Sequence, residues 1–381
     1  MKLCSLTQSY APTGGGVRTF LHAQRDWCRE HGIEHVLMVP GPTDTITRDG
    51  VLTTITIASP FVPGSNVYRL LLRSDRVLRL LRAELPDVIE LHCAYNLPWT
   101  ALLHRRRHGG IVSAFYMTDL PVAYVEAPLR GRIGPRIARL ARRAAERYLR
   151  TLYTRCDFTI AISPAMQERL REFGVAHARC VPLGVDTSLF SPTRRSVEVR
   201  ARLGAGVDDL VLVYAGRLDA EKRPDVLFDA FALLPDDIRP RLVVAGEGPM
   251  RERLAARATA DARVTLLPFI QDRAELATLL ASADVYVSAM PHETFGLSVA
   301  EAQASGLPVV GVRAGAMTDR VRDGEDGFLV EPGSPRALAD RIMSTPRDHW
   351  PAMGRRARER VEHELSWSRT FETILDMYRS R

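Results

Sequence analysis

The 381-residue sequence lacks the features that mark disulfide-rich, zinc-binding and membrane-spanning proteins. Its five cysteines include no Cys-x-x-Cys pair, and their odd number in so long a chain fits neither a disulfide framework nor a structural zinc site. No run of about 18 apolar residues occurs, and the opening MKLCSLTQSYAP becomes polar too early for a signal-peptide core. We therefore expect a cytoplasmic protein that neither spans a membrane nor is exported.

Lysine is also scarce, because only two of the 52 basic residues are lysine. The basic residues are concentrated in the first half: residues 1–185 carry 25 Lys and Arg against 15 Asp and Glu, whereas residues 186–381 carry 27 against 30. This asymmetry fits a genomic bias toward arginine codons as well as an anion-binding role. Aromatic and basic residues do not interleave as base-stacking platforms require, so we expect no nucleic-acid partner.

Short runs rich in Val, Ile and Leu alternate with helix-length segments along the whole chain, which predicts βαβ units around parallel sheets. The predicted strands of the first series are 2–6, 35–39, 87–91, 111–115 and 158–162. Those of the second series are 210–215, 241–245, 264–267, 285–288 and 308–312, with helices over 224–234 and 250–258. The pattern favours two doubly wound α/β domains, whose ligands bind beyond the carboxyl ends of the strands.

The boundary between the domains is predicted in residues 181–196, where Pro182, Gly184 and Pro192 interrupt a segment without sustained periodicity. The first Rossmann-like domain then covers residues 1–183 and the second covers 184–360. Apolar residues at helical spacing continue to the end of the chain without another strand pattern. We expect 361–381 to form a C-terminal helix that closes the fold by packing back toward the first domain.

Three consecutive glycines, Gly14, Gly15 and Gly16, follow the first predicted strand and precede a helix that begins near Val17. Glycines allow backbone N–H groups to approach an anion closely, and the helix N-terminus adds its positive dipole end. The alternative is a tight strand-to-helix turn without a ligand. The segment is not Gly-x-Gly-x-x-Gly, which argues against a dinucleotide fingerprint.

Two cations follow the strand VLVYA directly, in the segment GRLDAEK. Arg217 and Lys222 lie where a strand end meets the ligand region, and together they are able to neutralise a diphosphate. The alternative is a solvated loop in which Asp219 or Glu221 forms an ion pair with one of them.

Two carboxylates eight residues apart, Glu293 and Glu301, occur in the segment HETFGLSVAE. If a helix begins near Leu297, its first free N–H groups form an anion site. Glu301, about one turn inside, is then placed to reach a ribose diol, and Glu293 a sugar hydroxyl. The alternative is that both carboxylates only favour the helix N-terminus and form ion pairs.

The segments GRLDAEK and HETFGLSVAE, together with VVAGEGPM and GFLVEPG, resemble the carboxy-terminal half of the retaining glycosyltransferases of family 4. The Glu-x7-Glu spacing matches the signature of that family. In the first half, the glycine loop, VIELH, CDFTIAISPAMQERLREFGV and VPLGVDTSLFSP are also similar, so the resemblance covers nearly the whole chain. It implies an α/β fold of GT-B type, with two Rossmann-like domains facing across a cleft, the first for the acceptor and the second for the donor.

The resemblance also implies a reaction, the retaining transfer of a hexose from a nucleotide diphosphate sugar to an acceptor hydroxyl of a glycan, a lipid-linked sugar or a small molecule. Arg217 and Lys222 would hold the donor diphosphate, and Glu301 the ribose. Gly15 and Gly16 would close over the distal phosphate. The remaining donor-site residues would be His292, Glu293, Thr294, Phe295, Gly296 and Leu297.

One position departs from the family pattern. Many members carry His in a stretch like Tyr-His-Thr-Asp, whereas this chain has Met117 between Tyr116 and Thr118. Met117 cannot hydrogen-bond a sugar as imidazole does. We expect Tyr116, Met117 and Asp119 on the acceptor side together with His92, and we count Asp119 with Glu293, Arg217 and Lys222 as candidate catalytic residues.

The expected mechanism needs no metal and no cofactor. When the anomeric bond breaks, the leaving diphosphate gains negative charge, which Arg217 and Lys222 are placed to stabilise. The sequence contains no Asp-x-Asp pair, as expected if protein cations replace a divalent metal. The alternatives are a nucleotide-sugar epimerase or sugar-phosphate synthase of the same fold, and a catalytically weak sugar-nucleotide-binding protein, which Met117 alone suggests.

Two arginine-rich segments of the first half raise the question of peripheral contact with an anionic membrane at its inner face. Residues 66–82 are predicted as an amphipathic helix with Val67, Leu70, Val77, Leu78 and Leu81 on one face and Arg69, Arg73, Arg76 and Arg79 on the other. Residues 130–155 add nine arginines against one acid, Glu146. The alternative is that the apolar faces pack inside the domain and the arginines are solvated.

Overall fold

A computed structural model describes residues 1–10, 15–63 and 68–381. The chain divides into two compact units. The first unit contains Met1–Leu183 and Trp367–Arg381, and the second contains Gly184–Ser366. Within the described ranges, no helix combines the length and apolar character that crossing a bilayer requires.

The first unit is a parallel sheet with helices packed against it. Its strands are β1 Lys2–Leu6, β2 Glu34–Gly41, β3 Thr45–Asp49, β4 Leu52–Ala58, β5 Val88–Leu91, β6 Ile111–Tyr116, β7 Phe158–Ala161 and β8 Arg179–Cys180. Its helices are α1 Gly16–Glu30, α2 Ser74–Glu84, α3 Leu97–His108, α4 Ala127–Ile133, α5 Pro135–Tyr153, α6 Pro164–Glu172 and, at the end of the chain, α15 Trp367–Arg379, with a π-helical segment at Pro121–Glu126.

The sheet order is β3-β4-β2-β1-β5-β6-β7-β8, and every pair is parallel except β3 with β4. Cys4 in the centre of the sheet lies opposite Val36 on one side and Ile89 on the other, and all three are buried. Strands covered on both faces are apolar throughout, which is why β1, β2, β5, β6 and β7 are recognisable in the sequence. β3, β4 and the two-residue β8 carry exposed or polar residues, and the sequence patterns do not predict them.

The second unit has a six-stranded, wholly parallel sheet in the order β11-β10-β9-β12-β13-β14. Its strands are β9 Leu210–Ala215, β10 Pro240–Ala245, β11 Val264–Leu267, β12 Val285–Val287, β13 Val309–Val312 and β14 Gly327–Val330. Its helices are α7 Val197–Arg202, α8 Pro224–Phe231, α9 Arg251–Ala260, α10 Arg273–Ala281, α11 Leu297–Ala304, α12 Met317–Arg320, α13 Pro335–Ser344 and α14 His349–Glu364, with 3₁₀ turns at Pro192–Arg194 and Asp236–Ile238.

All ten predicted strands are present, with ends that differ by at most two residues. The doubly wound α/β class is therefore confirmed in both units. The C-terminal segment differs from the expected single helix over 361–381. Residues 361–364 complete α14, and α15 begins at Trp367 and belongs to the first unit.

The predicted helix over residues 66–82 is wrong in its first part, because α2 begins only at Ser74. Asn66 and Val67 lie outside the described residues. Backbone hydrogen bonds from Val62 N to Tyr68 O and from Leu70 N to Pro60 O, both 2.8 Å, hold the chain extended instead. An extended backbone places successive side chains on opposite faces, so the helical face predicted from Leu70 onward does not form there.

Helix α15 is anchored in the first unit by an aromatic cluster and a buried polar network. Phe371 stacks on Trp367 and lies 5.4 Å from Phe20 of α1. In the buried polar network, the Tyr378 hydroxyl donates to Glu90 Oε1 (2.9 Å), and the Gln24 side chain donates to Glu90 Oε2 (2.8 Å). Burial raises the pKa of Glu90, although hydrogen bonds from Gln24, Ser5 and Tyr378 partly oppose it. Helix α15 therefore completes the core of the first unit.

Replacing Tyr378 with phenylalanine is expected to lower the free energy of unfolding by about 1–3 kcal/mol, because a buried oxygen of Glu90 loses its donor. Urea denaturation of both proteins measures the difference. The control is Tyr95→Phe, since the Tyr95 side chain is exposed, and it should leave the unfolding midpoint unchanged. Equal stability of Tyr378→Phe and the wild type would show that the hydrogen bond to Glu90 does not anchor α15.

Candidate functional site

The candidate site of the second unit lies where the strand order reverses. From β9 the chain proceeds to β10 and β11 on one side, and then returns to β12 on the other side of β9. The loops that leave β9 and β12 therefore diverge at the carboxyl edge of the sheet, which is where open α/β sheets bind ligands. These loops, 216–223 and 288–296, carry the predicted donor residues.

The loop after β10 supports the loop after β9 through backbone hydrogen bonds. Leu218 N donates to Glu247 O (2.8 Å), and Met250 N donates to Leu218 O (2.9 Å). A Cβ on Gly246 would lie 1.9 Å from the carbonyl oxygen of Gly216, so no larger residue fits at Gly246. The GEGPM segment is thus a backbone platform for the loop that carries Arg217.

Arg217 and Lys222 have different surroundings. The Arg217 side chain is 53% exposed and pairs with Asp219 (2.5 Å) and Glu221 (3.2 Å), the ion pairs that the alternative interpretation of this loop expects. The Lys222 side chain is 20% exposed, and its Nζ lies 3.2 Å from Glu293 Oε2. The structure therefore brings Lys222 and Glu293 together, from segments 71 residues apart.

Glu293 is a buried carboxylate that stays ionised. Burial alone would raise its pKa, but the charge and hydrogen bond of Lys222 and hydrogen bonds from the Thr294 and Gly296 backbone lower the pKa overall. The carbonyl oxygen of Glu293 accepts from Ala316 N (2.8 Å). Glu293 is therefore a fixed acceptor of hydrogen bonds next to a cation.

Helix α11 begins four residues after Glu293, at Leu297 as the sequence predicts. Its N-cap residue is Gly296, whose φ of 80° is in the left-handed region that favours glycine. This cap residue has no side chain of its own, and the Glu293 carboxylate accepts a hydrogen bond from the Gly296 backbone N–H. The end of α11 thus presents a partial positive charge beside the pair of Lys222 and Glu293.

Glu301 lies one turn into α11, and its side chain is 4% exposed. Its Oε1 accepts a hydrogen bond from Arg273 Nη2 (2.7 Å). Burial raises the pKa of Glu301, and the charge and hydrogen bond of Arg273 only partly oppose this. Arg273 also lies over the ring of Phe190 at 4.8 Å. Arg273 is not recognisable from the sequence, because only the fold brings it next to a residue 28 positions away.

Gly15 and Gly16 belong to the first unit, where Gly15 precedes α1 with a φ of 115° and Gly16 is its first residue. Among the described residues, no atom lies within 4 Å of a Cβ built on either glycine. Packing therefore does not require glycine at these two positions, and the open space fits the predicted approach of a ligand. Gly14 lies outside the described residues.

Asp119 is held by its neighbours in the first unit. Its Oδ1 accepts from the Tyr116 hydroxyl (2.7 Å), and its Oδ2 pairs with Arg169 Nε (3.1 Å). Arg169 also binds Glu146 of α5 and Glu172. Arg169 is not recognisable from the sequence, because it lies 50 residues from Asp119 in the chain. Asp119 thus anchors the turn after β6.

Met117 and His92 are both buried in the first unit, at 8% and 4% exposure. The His92 ring stacks on Phe115 (4.5 Å between centroids), and neither ring nitrogen has a hydrogen-bond partner among the described residues. Burial lowers the pKa of His92 to about 3, so the ring is neutral. A role on the acceptor side remains a prediction for both residues. His292 of the second unit is exposed.

Comparison with known proteins adds independent observations. A family model described as Glycosyltransferase Family 4 matches residues 14–189, and one described as Glycosyl transferases group 1 matches residues 197–361. The chain is 32% identical, over 98% of its length and 95% of the relative, to a GDP-mannose-dependent alpha-(1-6)-phosphatidylinositol dimannoside mannosyltransferase of Mycobacterium tuberculosis. It is 38% identical over 51% of its length, and 42% of the relative, to a D-inositol 3-phosphate glycosyltransferase of Mycobacterium bovis.

Among solved structures, sucrose-phosphate synthase from Thermosynechococcus elongatus is similar, with a TM-score of 0.81 and 22% identity over 100% of this chain and 99% of the other. Anabaena Alr3699/HepE in complex with UDP and glucose is similar with a TM-score of 0.77 and 20% identity over the full length of both chains. At these identities the likeness concerns the fold.

Proposed function

This chain belongs to glycosyltransferase family 4, and from that premise we propose that it transfers mannose from GDP-mannose to a hydroxyl group of a lipid-linked sugar, with retention of configuration. It has the GT-B fold, and it is a glycosyltransferase that uses a nucleotide-sugar donor. The epimerase, the sugar-phosphate synthase and the weak binding protein, the alternatives considered from the sequence, are not favoured by these similarities.

The observation that carries the proposed chemistry is the pair of Lys222 and Glu293 beside the N-terminal end of α11. An ammonium group has three N–H donors, so Lys222 is able to hold Glu293 and a donor phosphate at the same time. Ionised Glu293 then accepts a hydrogen bond from a hydroxyl of the transferred sugar. One cluster thus contacts both sides of the bond that breaks.

The leaving group determines where catalysis is needed. As the anomeric bond breaks, charge accumulates on the diphosphate, and Lys222, Arg217 and the N–H groups of α11 stabilise it. Arg217 must exchange Asp219 or Glu221 for a phosphate oxygen, and its exposed position permits this. In the proposed retaining reaction the acceptor attacks from the face that the diphosphate leaves, and a phosphate oxygen takes the acceptor proton. These protein cations also support metal independence.

Donor identity is proposed from the mannosyltransferase of M. tuberculosis, whose name states dependence on GDP-mannose. The same name gives phosphatidylinositol dimannoside as what that enzyme acts on, which supports a lipid-linked acceptor for this chain. Peripheral contact with a membrane follows from the proposed acceptor, since its sugar is displayed at a lipid surface.

Turnover of GDP-mannose, UDP-glucose and ADP-glucose with a mannosylated phospholipid acceptor, in EDTA, tests the proposal. We expect transfer from GDP-mannose alone, an α-linked product by NMR, and the same rate when Mg²⁺ replaces EDTA. A β-linked product would contradict retention, and activity only with Mg²⁺ would contradict metal independence. An epimerised donor without transfer would support the alternative function of an epimerase. Nucleotide binding without any turnover would support the alternative function of a binding protein.

A further inference from the structure

The outer surface of α5 has an unusual composition for a face turned to solvent. At about 100° per residue, positions 137, 140, 144 and 148 form one stripe of the helix, and 136, 139, 143, 147 and 150 form the next. The first stripe is apolar, and its Ile137 and Leu140 are 54% and 68% exposed. The second stripe is entirely arginine. The opposite side, with Ala138, Leu149 and Leu152, is buried.

We define the α5 outer face as Arg136, Ile137, Arg139, Leu140, Arg143 and Arg147. Its four arginines are exposed, and within the described parts of the chain none of them pairs with a carboxylate. Glu146, the single acid of α5, points to the inner side, where Arg142 (2.9 Å) and Arg169 bind it. The outer face therefore presents four positive charges without internal compensation.

Helix α2 provides an internal comparison, because it is also rich in arginine. There Arg73 and Arg76 lie 3.1 and 3.6 Å from Asp44, and Arg79 lies 2.8 Å from Asp75. Its apolar side, with Val77 and Leu81, is buried. The apolar side of α2 thus packs internally, as the alternative considered from the sequence expects, and these three arginines pair with carboxylates in addition to being in contact with solvent. The α5 outer face differs in both respects.

Aromatic side chains continue the surface from α5 to α3. The Tyr148 hydroxyl accepts from Trp99 Nε1 (3.1 Å) and donates to the carbonyl oxygen of Tyr95 (2.7 Å). Trp99, Tyr95 and Tyr148 are 39%, 47% and 36% exposed. Amphipathic rings of this kind favour the headgroup level of a bilayer, where one end is apolar and the other is wet.

We propose that the α5 outer face docks on an anionic lipid surface, with Ile137 and Leu140 inserted at the headgroup level and the arginines paired with lipid phosphates. The apolar stripe matches the apolar layer of such a surface, and the arginine stripe matches its phosphates. An arginine is able to bury its aliphatic stem while its guanidinium group reaches a phosphate. A nucleic acid would satisfy the charge but leave Ile137 and Leu140 in water. A second copy docked through this face would bring arginines against arginines.

The position of α5 connects docking with the predicted acceptor region. The inner side of the helix holds Glu146, which binds Arg169, and Arg169 binds Asp119. An α-helix with its side chains is about 10–12 Å wide, so the docked face and this cluster are separated by roughly one helix. Docking itself is carried by the residues of the face, whereas its use in catalysis rests on the proposed lipid-linked acceptor.

Sedimentation of the full chain with vesicles tests the proposal. One set of vesicles is phosphatidylcholine, and the other contains equal parts of phosphatidylcholine and phosphatidylglycerol. The test variant is Arg136→Gln/Arg139→Gln/Arg143→Gln. The matched variant, Arg202→Gln/Arg253→Gln/Arg355→Gln, removes the same charge from exposed arginines of the second unit.

We expect binding only to the anionic vesicles, and a loss of roughly 100-fold in the test variant, because each basic residue near an anionic surface contributes about a factor of five. The matched variant should keep most of the affinity. If both variants lost the same affinity for the anionic vesicles, the proposal would be overturned in favour of a nonspecific charge effect. It would also be overturned if the test variant lost as much affinity for a DNA duplex as for the vesicles.

The apolar stripe has its own test. Ile137→Ser/Leu140→Ser is expected to weaken vesicle binding, whereas Val197→Ser/Val207→Ser, at exposed positions of the second unit, is not. Unchanged binding of the first variant would contradict insertion. Transfer to a water-soluble mannoside separates the two proposals: it should be unchanged in every docking variant, and its absence in the wild type would count against the proposed function alone.

Discussion

Replacing Lys222 with methionine is expected to lower kcat/KM for GDP-mannose by about 10²–10³-fold, the usual loss when one group that stabilises transition-state charge is removed. Steady-state kinetics with the mannosylated acceptor measure it. The loss has two causes, since the leaving diphosphate loses a cation and buried Glu293 loses its counter-charge. Lys222→Arg should restore only part of the activity, because a planar guanidinium differs in shape and reach from an ammonium group.

The same variant has a signature in the pH profile. In the wild type the pKa of Glu293 is lowered, so Glu293 keeps its charge to a lower pH than an ordinary glutamate does. Without Lys222, burial becomes the dominant influence and the pKa rises. Activity of Lys222→Met should therefore begin to fall at a higher pH than that of the wild type. An unchanged acid limb would show that Lys222 does not control the ionisation of Glu293.

Arg223→Met is the matched control for Lys222→Met. Arg223 is the next residue in the same loop, and its Nε lies 3.5 Å from Asp225. Its replacement removes one positive charge without touching Glu293, and we expect no comparable loss of kcat/KM. A loss as large as that of Lys222→Met would mean that total loop charge, and not the pair with Glu293, determines activity.

Replacing Glu301 with glutamine is expected to weaken GDP binding by roughly 10- to 100-fold, because a hydrogen bond to a charged group contributes about 1.5–3 kcal/mol. Isothermal titration calorimetry measures this directly. The predicted contact is with the ribose diol, so 2′-deoxy-GDP should bind less tightly than GDP to the wild type and about equally to the variant. A wild type that does not distinguish the two nucleotides would place Glu301 away from that hydroxyl.

Affinity for GDP should also depend on pH through Glu301. Burial raises the pKa of this carboxyl, so as the pH falls it becomes protonated earlier than an ordinary glutamate and loses one of its acceptor positions. The wild type should therefore lose GDP affinity in mild acid more steeply than Glu301→Gln does. Glu275→Gln, at an exposed position of α10, is the control and should behave as the wild type.

Much of the fold could be predicted because buried parallel strands are apolar throughout, whatever surrounds them. This holds for β9 and β12, whose ends carry the loops of the candidate site. It fails for β3, which is wholly exposed, and for the start of α2, where the extended segment after Pro60 overrides an apparent helical pattern. Local periodicity does not report backbone pairing between segments that are distant in sequence.

The candidate site also contains residues that could be predicted from the sequence and residues that could not. Arg217, Lys222, Glu293 and Glu301 were identified because they follow strands or begin a helix, and those positions are local properties of the chain. The partners of two predicted carboxylates were not identified: Arg273 beside Glu301 and Arg169 beside Asp119 come from other helices. Burial and these contacts together decide the ionisation of the carboxylates: burial dominates for Glu301, whereas Lys222 and backbone hydrogen bonds outweigh burial for Glu293. The raised pKa of Glu301 and the lowered pKa of Glu293 therefore belong to the tertiary structure.

The two arginine-rich helices show what the sequence by itself determined and what the tertiary structure decided. Their composition already indicated amphipathic, basic surfaces, because charge and helical spacing are local. Whether the arginines are compensated depends on which carboxylates the fold brings within a few ångströms. Asp44, from the loop before β3, pairs with two arginines at α2, in addition to the local pair of Arg79 with Asp75, whereas Glu146 faces inward on α5 and leaves the outer arginines available. Sequence spacing determines which residues share a face, but only packing decides what that face meets, since the neighbours come from distant parts of the chain.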